Sequence, residues 1–89
     1  MKKRARLEVV YDILSSIRNK DNQIKPTHLL YKSNLSYKMM QGYLKDLMDG
    51  DMVESNEEKG KKHYSLTKKG FDFLGKYDKI KEFTDSFGL

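Results

Sequence analysis

Residues 27–49 read THLLYKSNLSYKMMQGYLKDLMD, a segment in which capping residues separate two helical runs. A threonine that can cap a helix precedes a short run over 28–33. Asn34 suits the left-handed backbone conformation that commonly ends a helix. Ser36 can cap a longer run over 36–49, because its hydroxyl accepts a hydrogen bond from a free N–H group of the first turn. The segment therefore predicts two helices joined by a tight turn.

The longer helix has two chemically different faces. Its apolar side chains recur at three- and four-residue spacing and predict a buried face, formed by Met40, Leu44 and Leu47. Helical geometry places another five residues on the opposite, solvated face: Tyr37, Lys38, Gln41, Gly42 and Lys45.

The flanking sequence predicts two more helices, a short strand and a hairpin. Apolar residues at helical spacing indicate a first helix over 4–19. Residues 23–26 predict a short strand, because their proline disfavours helical backbone at the residue before it. Two β runs within 52–66 flank a charged stretch at 56–62, which predicts a hairpin with a long charged tip. A last helix follows over 67–87, capped by its threonine.

The order of these elements is helix, short strand, helix, turn, helix, hairpin, helix. This is the order of a winged helix-turn-helix, a mainly α fold with a small β-hairpin (α+β) in which the hairpin is the wing. The length predicts a single domain over residues 1–89. The absence of cysteine excludes disulfide scaffolds, thiol catalysis and cysteine-based zinc fingers.

The charge of the chain is unevenly distributed. Eighteen Lys and Arg against thirteen Asp and Glu give a formal charge of +5. Residues 1–50 hold ten of the bases and five of the acids, whereas the remainder holds eight of each. The whole basic excess lies in the helical half, and nucleic acid is the first partner to expect.

Three groups of residues are candidates for DNA contacts. On the longer helix, Gln41 can pair with adenine, while Lys38 can reach guanine or a phosphate. The helix-turn-helix candidates are Tyr37, Lys38, Gln41, Lys45 and Lys32; those of the wing are Lys61 and Lys62, and those of the N-terminal arm are Arg4 and Arg6. Each group has an ordinary alternative, which is a solvated surface without a partner.

The last helix carries a heptad-like apolar pattern. The pattern consists of Phe73, Tyr77, Ile80, Thr84 and Phe87, and it predicts a dimer seam. Phe71 and Leu74 lie off this seam and are expected to pack onto the rest of the domain. The alternative is a helix that folds entirely onto its own chain.

No pattern in the sequence indicates catalysis, a metal or a membrane span. His28 and His63 lack a second ligand at metal spacing, and there is no phosphate loop or catalytic triad signature. We therefore expect no enzymatic activity and no cofactor. No apolar run approaches the roughly 18 residues of a spanning helix, so we expect a cytoplasmic, nucleoid-associated protein.

Three motifs carry a family resemblance. They are Tyr31-Lys32-Ser33-Asn34-Leu35-Ser36-Tyr37, Tyr43-Leu44 with Leu47-Met48-Asp49, and Tyr64-Ser65-Leu66-Thr67-Lys68-Lys69-Gly70. Together they resemble the archaeal ten-kilodalton winged-helix DNA-binding proteins of the 10a chromatin type. The resemblance implies homodimers joined by an antiparallel coiled coil of the last helices, binding duplex DNA with limited sequence preference. It also implies DNA contacts by Tyr37, Lys38, Gln41, Lys45, Lys61 and Lys62.

The chain departs from the family in its last helix. Only 19 residues follow Gly70, and Gly75 interrupts the helix interior. A glycine there costs about 1 kcal/mol relative to alanine, which predicts a bend or a reduced dimer interface, unless the glycine serves a close contact.

These observations favour a homodimeric protein that binds double-stranded DNA as a chromatin protein or a transcription regulator. The alternative is a winged-helix module that binds a protein partner and not DNA. RNA is disfavoured because the deep A-form major groove does not admit a helix.

Overall fold

The computed structural model describes residues 5–88, which form four helices and one two-stranded antiparallel sheet. The elements are α1 (Arg6–Asn19), α2 (Pro26–Ser33), α3 (Tyr37–Asp49), β1 (Val53–Glu58), β2 (Lys61–Leu66) and α4 (Lys68–Ser86). This order confirms the winged helix-turn-helix, with α2 and α3 as the helix pair and the hairpin β1–β2 as the wing.

The start of α2 differs from the sequence-based prediction. Pro26 occupies the first helical position, and the N-cap is Lys25 with no side-chain hydrogen bond, so Thr27 is not the cap. A proline fits there because its fixed φ is helical and its missing N–H would have no partner in any case. The predicted strand at 23–26 is reduced to one bridge, in which Ile24 exchanges backbone hydrogen bonds with Tyr64.

The turn between α2 and α3 has the predicted geometry. Asn34 ends α2 in the left-handed conformation, with φ 55° and ψ 39°. The Ser36 hydroxyl accepts a hydrogen bond from the Met39 N–H at 3.2 Å and so caps α3. These two local contacts set where α3 begins and the direction in which it leaves the turn.

The strands of the wing are longer, and its turn is shorter, than predicted. The strands pair through to Glu58 and Lys61, so the stretch 56–62 is mostly strand and not a long loop. Lys59 and Gly60 form a two-residue turn with φ values of 52° and 77°. Positive φ at both positions is the requirement of the tight hairpin turn whose twist matches that of the strands, and glycine meets it without strain.

The core lies where α1, α2, α3, the base of the wing and α4 meet. Its buried hydrophobic residues are Val9, Ile13, Leu14, Ile17, Ile24, Leu29, Met40, Leu44, Leu47, Val53, Tyr64, Leu66 and Leu74. The three apolar residues predicted to face inward from α3 are all among them. Burial of that face fixes the rotation of α3 about its axis and exposes the opposite face to solvent.

A cluster of side chains joins α4 to α1. The rings of Tyr11 and Tyr77 stack with centroids 4.4 Å apart. The Tyr11 hydroxyl donates to Asp78 Oδ1 at 2.8 Å, and Arg18 Nη1 donates to Asp78 Oδ2 at 3.1 Å. The hydrogen bond from Tyr11, aided by Arg18, lowers the pKa of Asp78 below 3.8. The same hydrogen bond, aided by burial, raises the pKa of Tyr11 above 10.0.

Candidate nucleic-acid interface

The solvated face of α3 is the best-formed candidate interface. Tyr37 is 64% exposed, and Lys38 and Lys45 are also exposed, whereas Gln41 is half-buried. A Cβ built on Gly42 would have no atom within 4 Å, so this position is open to a partner surface. The structure therefore brings together on one face the α3 residues that the sequence singled out.

The two lysines of this face differ in their surroundings. Lys45 Nζ lies 3.3 Å from Asp49 Oδ2 one turn later, in an ion pair that is open to solvent on both sides. Such exposed pairs contribute little, and Lys45 can exchange its partner for a phosphate at small cost. Within residues 5–88, Lys38 makes no ion pair and no side-chain hydrogen bond. Its charge is therefore available at the first turn of α3.

Two exposed residues beside this face were not singled out as contacts. Met39 follows Lys38 on α3 and is 51% exposed, and Tyr31 on α2 is 81% exposed. Helical spacing with Leu44 and Leu47 places Met40 on the buried face of α3. Met39 points away from that face because adjacent residues of a helix differ in their angle about its axis.

Arg6 lies at the side of α3 and is already paired. Its Nη2 donates to Asp46 Oδ2 at 2.9 Å, and its guanidinium lies 5.3 Å from the centre of the Tyr43 ring. These contacts hold the start of α1 against α3 and partly neutralise Arg6. Arg4, the other candidate of the N-terminal arm, lies outside the described residues.

The wing lysines point to opposite faces of the hairpin. Lys62 shares a face with the buried Tyr64, and its Nζ lies 5.5 Å from that ring. Lys61 is on the other face because successive side chains of a strand alternate. Glu57 is the cross-strand neighbour of Lys62. A single flat partner surface therefore cannot contact both lysines in the same way. The sequence-based prediction had not separated the two lysines.

The predicted seam of α4 divides into two parts. Phe73 and Tyr77 are partly buried against their own chain, whereas Ile80 and Phe87 are 65% and 66% exposed. Thr84 is half-buried and donates its hydroxyl to the carbonyl oxygen of Lys81, within its own helix.

The exposed part of α4 includes Phe83, which is not part of the predicted heptad pattern. Phe83 is 60% exposed, and its ring centre lies 4.7 Å from that of Phe87. Leu74 is buried as expected, but Phe71 is 41% exposed and so does not pack fully onto the domain. The exposed stripe of α4 is therefore Ile80, Phe83 and Phe87, which we call the distal stripe.

Residues 5–88 show neither a metal-binding cluster nor a membrane-spanning helix. This part of the chain contains no group of three or more His, Asp or Glu side chains that could hold a metal ion. None of its helices is long and apolar enough to cross a membrane.

The fold agrees with that of known proteins. The chain belongs to the winged helix-turn-helix family, whose sequence model matches residues 3–85. Among solved structures, Sso10a-2, a DNA-binding protein from Sulfolobus solfataricus, has a TM-score of 0.71 at 27% identity. That match covers 96% of this chain and 90% of Sso10a-2.

Two further relatives differ in what they share with this chain. F93 from the virus STIV, a winged-helix DNA-binding protein, has a TM-score of 0.72 at 18% identity. The match covers 92% of each chain, and at this identity it shows a likeness of fold alone. An uncharacterized protein of Methanocaldococcus jannaschii is 28% identical over 78 residues, which are 88% of this chain and 34% of that protein. The chain thus spans about a third of the length of this curated relative.

Proposed function

We propose that this protein binds double-stranded DNA by inserting α3 into the major groove, as a chromatin protein or transcription regulator. The observation that carries the proposal is the exposed first turn of α3, where Lys38, which has no ion-pair partner within residues 5–88, lies beside Tyr37. An α-helix fits the major groove, and a cation near its N-terminus can contact a phosphate or a guanine. The description of Sso10a-2 as a DNA-binding protein adds support.

Each residue of the face has a proposed role. Lys38 and Lys45 contact phosphates, and Gln41 reads an adenine edge through its amide. Tyr37 donates its hydroxyl to a phosphate or packs on a thymine methyl group. Gly42 lets the helix approach the groove closely because it has no side chain.

The wing and the composition favour affinity over sequence readout. The wing lysines Lys61 and Lys62 serve as phosphate contacts, one on each side of the hairpin. The chain contains 15 Lys and three Arg. Lysine is a point charge that suits phosphates, whereas arginine is the usual bidentate reader of guanine. We therefore propose limited sequence specificity and a location on the chromosome.

Fluorescence anisotropy with a random-sequence duplex across a salt series tests the proposal. For wild type we expect log affinity to fall linearly with log salt, and Lys38→Ala to reduce the slope by about 0.9 for one lost phosphate contact. Lys76→Ala on α4 is the matched control, since it removes one exposed lysine away from the interface. Wild-type binding that ignores salt, or equal effects of the two variants, would refute this use of α3.

We also propose a homodimer formed through α4. The distal stripe supports it, because three large apolar side chains on one side of a helix are costly to leave in water. A two-fold dimer would present two copies of α3 to DNA. The alternative function, binding of a different protein through the same stripe, is distinguished by the oligomeric state of the isolated protein.

A further inference from the structure

A second basic surface lies in a cleft between α1 and α2. The cleft has a volume of about 300 Å³. Its lining residues are Ser16, Asn19, Lys20, His28 and Lys32. None of the five is acidic and none belongs to α3 or the wing. Of these five, only Lys32 is among the DNA contacts predicted from the sequence.

Most side chains of the cleft carry donors that are open to solvent. Within residues 5–88, the side chains of Asn19, Lys20, His28 and Lys32 make no hydrogen bond and no ion pair. Ser16 differs, because its hydroxyl donates to the Asp12 carbonyl oxygen at 2.6 Å and retains only acceptor capacity. Unpaired cations and amide donors that converge on a cleft are suited to an anion with several acceptor oxygens.

Local structure explains why these side chains converge. His28 and Lys32 are four residues apart on α2 and therefore lie on one side of that helix, the side that faces the end of α1. His28 is in the first turn of α2, where free N–H groups and the helix dipole favour negative charge. Asn19 and Lys20 end α1, and the tight connection that follows keeps them beside α2.

We propose that this cleft binds phosphate and, in the DNA complex, holds a backbone phosphodiester that flanks the groove occupied by α3. Only the assignment of the phosphate to DNA rests on the proposed function; the ability of the cleft to bind a phosphate group does not. A free phosphate ion or phosphate monoester is the other source of the same group. Lys20 and Lys32 supply the charge, while Asn19 and His28 donate hydrogen bonds to the phosphate oxygens.

The first arm of the test measures DNA binding. In a salt series with a random-sequence duplex, Lys20→Ala/Lys32→Ala should reduce the slope of log affinity against log salt by about 1.8, for two lost contacts to phosphate. The matched control is Lys76→Ala/Lys79→Ala, which removes the same charge from the exposed surface of α4 and should leave the slope unchanged. Circular dichroism melting verifies that both variants are folded.

The second arm measures binding of inorganic phosphate. In a titration followed by ¹H–¹⁵N NMR, the amide signals of Asn19, Lys20 and His28 should shift in wild type and stay fixed in the cleft double variant. Shifts without a change in the DNA slope would assign the cleft to free phosphate. A changed slope without shifts would assign it to phosphodiesters held by the duplex.

Two results separate this inference from the proposed function. If neither the DNA slope nor the NMR signals depend on Lys20 and Lys32, the cleft does not bind phosphate and the inference is overturned. Loss of DNA affinity in Lys38→Ala would still support the use of α3 in that case. Conversely, phosphate-dependent shifts in a protein that binds no duplex would refute the DNA proposal and retain the cleft as a phosphate site.

Discussion

Two glycines of α4 lie in opposite environments, although both interrupt a helical sequence. A Cβ on Gly70 would overlap the carbonyl oxygen of Met52, which is backbone and cannot move aside easily. A Cβ on Gly75 would meet no atom within 4 Å, so this chain supplies no close contact to explain that glycine. Gly70 is therefore required for packing α4 on the base of the wing, and Gly75 is not.

Alanine substitutions should have opposite effects on stability at these positions. We expect Gly70→Ala to lower the free energy of unfolding by about 1–3 kcal/mol through steric overlap. Gly75→Ala should raise it by about 0.5–1 kcal/mol, because alanine loses less conformational entropy in a helix interior. Urea unfolding at one temperature measures both. Destabilisation by Gly75→Ala would indicate that another molecule packs against this position.

The hydrogen bond between Tyr11 and Asp78 should make stability depend on pH in a defined window. Folding lowers the pKa of Asp78, so its contribution is present above about 3.8 and is lost as the pH falls through the folded value. Folding raises the pKa of Tyr11, so that contribution is present below about 10 and is lost as the pH rises through the folded value.

Removing the hydroxyl tests this window. Tyr11→Phe should lower the free energy of unfolding by about 1 kcal/mol at neutral pH, since the carboxylate acceptor is partly solvated. The penalty should shrink at acid pH, as the pH falls through the lowered pKa of Asp78 and the carboxylate becomes protonated. Tyr31→Phe is the control, because Tyr31 is 81% exposed and should give no change. Equal penalties for Tyr11→Phe at both pH values would contradict the assignment.

Gly42 on α3 affects both the stability of the helix and its fit to DNA in the proposed complex. Gly42 lies in the interior of α3 on the exposed face, with open space around it. Gly42→Ala should stabilise the free protein by about 0.5–1 kcal/mol. It should also weaken DNA binding, because the new methyl group occupies space needed for close approach to the groove.

Measuring stability and affinity together separates these two effects. Gly75→Ala provides the control, since it makes the same chemical change on α4 and should leave DNA affinity unaltered. A gain in both stability and affinity for Gly42→Ala would show that α3 does not approach the groove at this position.

In the proposed homodimer, the distal stripe forms the interface. We expect wild type to sediment at twice the mass of one chain and Ile80→Asp to sediment as a monomer, because a carboxylate at the stripe must be desolvated on association. DNA affinity should fall in parallel, since two linked copies of α3 bind with avidity that one copy lacks. Sedimentation equilibrium and anisotropy provide the two measurements.

Lys79→Ala controls for charge, because it makes the same change in net charge at a neighbouring exposed position on α4. It should leave both the mass and the affinity unchanged. A wild-type protein that remains monomeric would contradict the dimer and leave the stripe available to a different protein partner.

The sequence alone determined the helix pair, the wing and the polar face of α3. These features depend on neighbours along the chain: Asn34 ends α2, Ser36 caps α3, and apolar residues at helical spacing define the buried face. Turn geometry, capping and periodicity act within a few residues, so their residue types predict them directly. The same reasoning missed Pro26 as the start of α2, because proline suits both a strand end and a first helical turn.

Tertiary structure decided how residues distant in sequence are combined. It paired Arg6 with Asp46, partly buried Phe73 and Tyr77 while leaving Ile80 exposed, and joined the ends of α1 and α2 in a basic cleft. None of these contacts follows from local pattern, because periodicity indicates that a helix has an apolar face but not which element covers it. Which element covers each apolar face depends on all four helices and the wing at once, because they pack closely around one shared core.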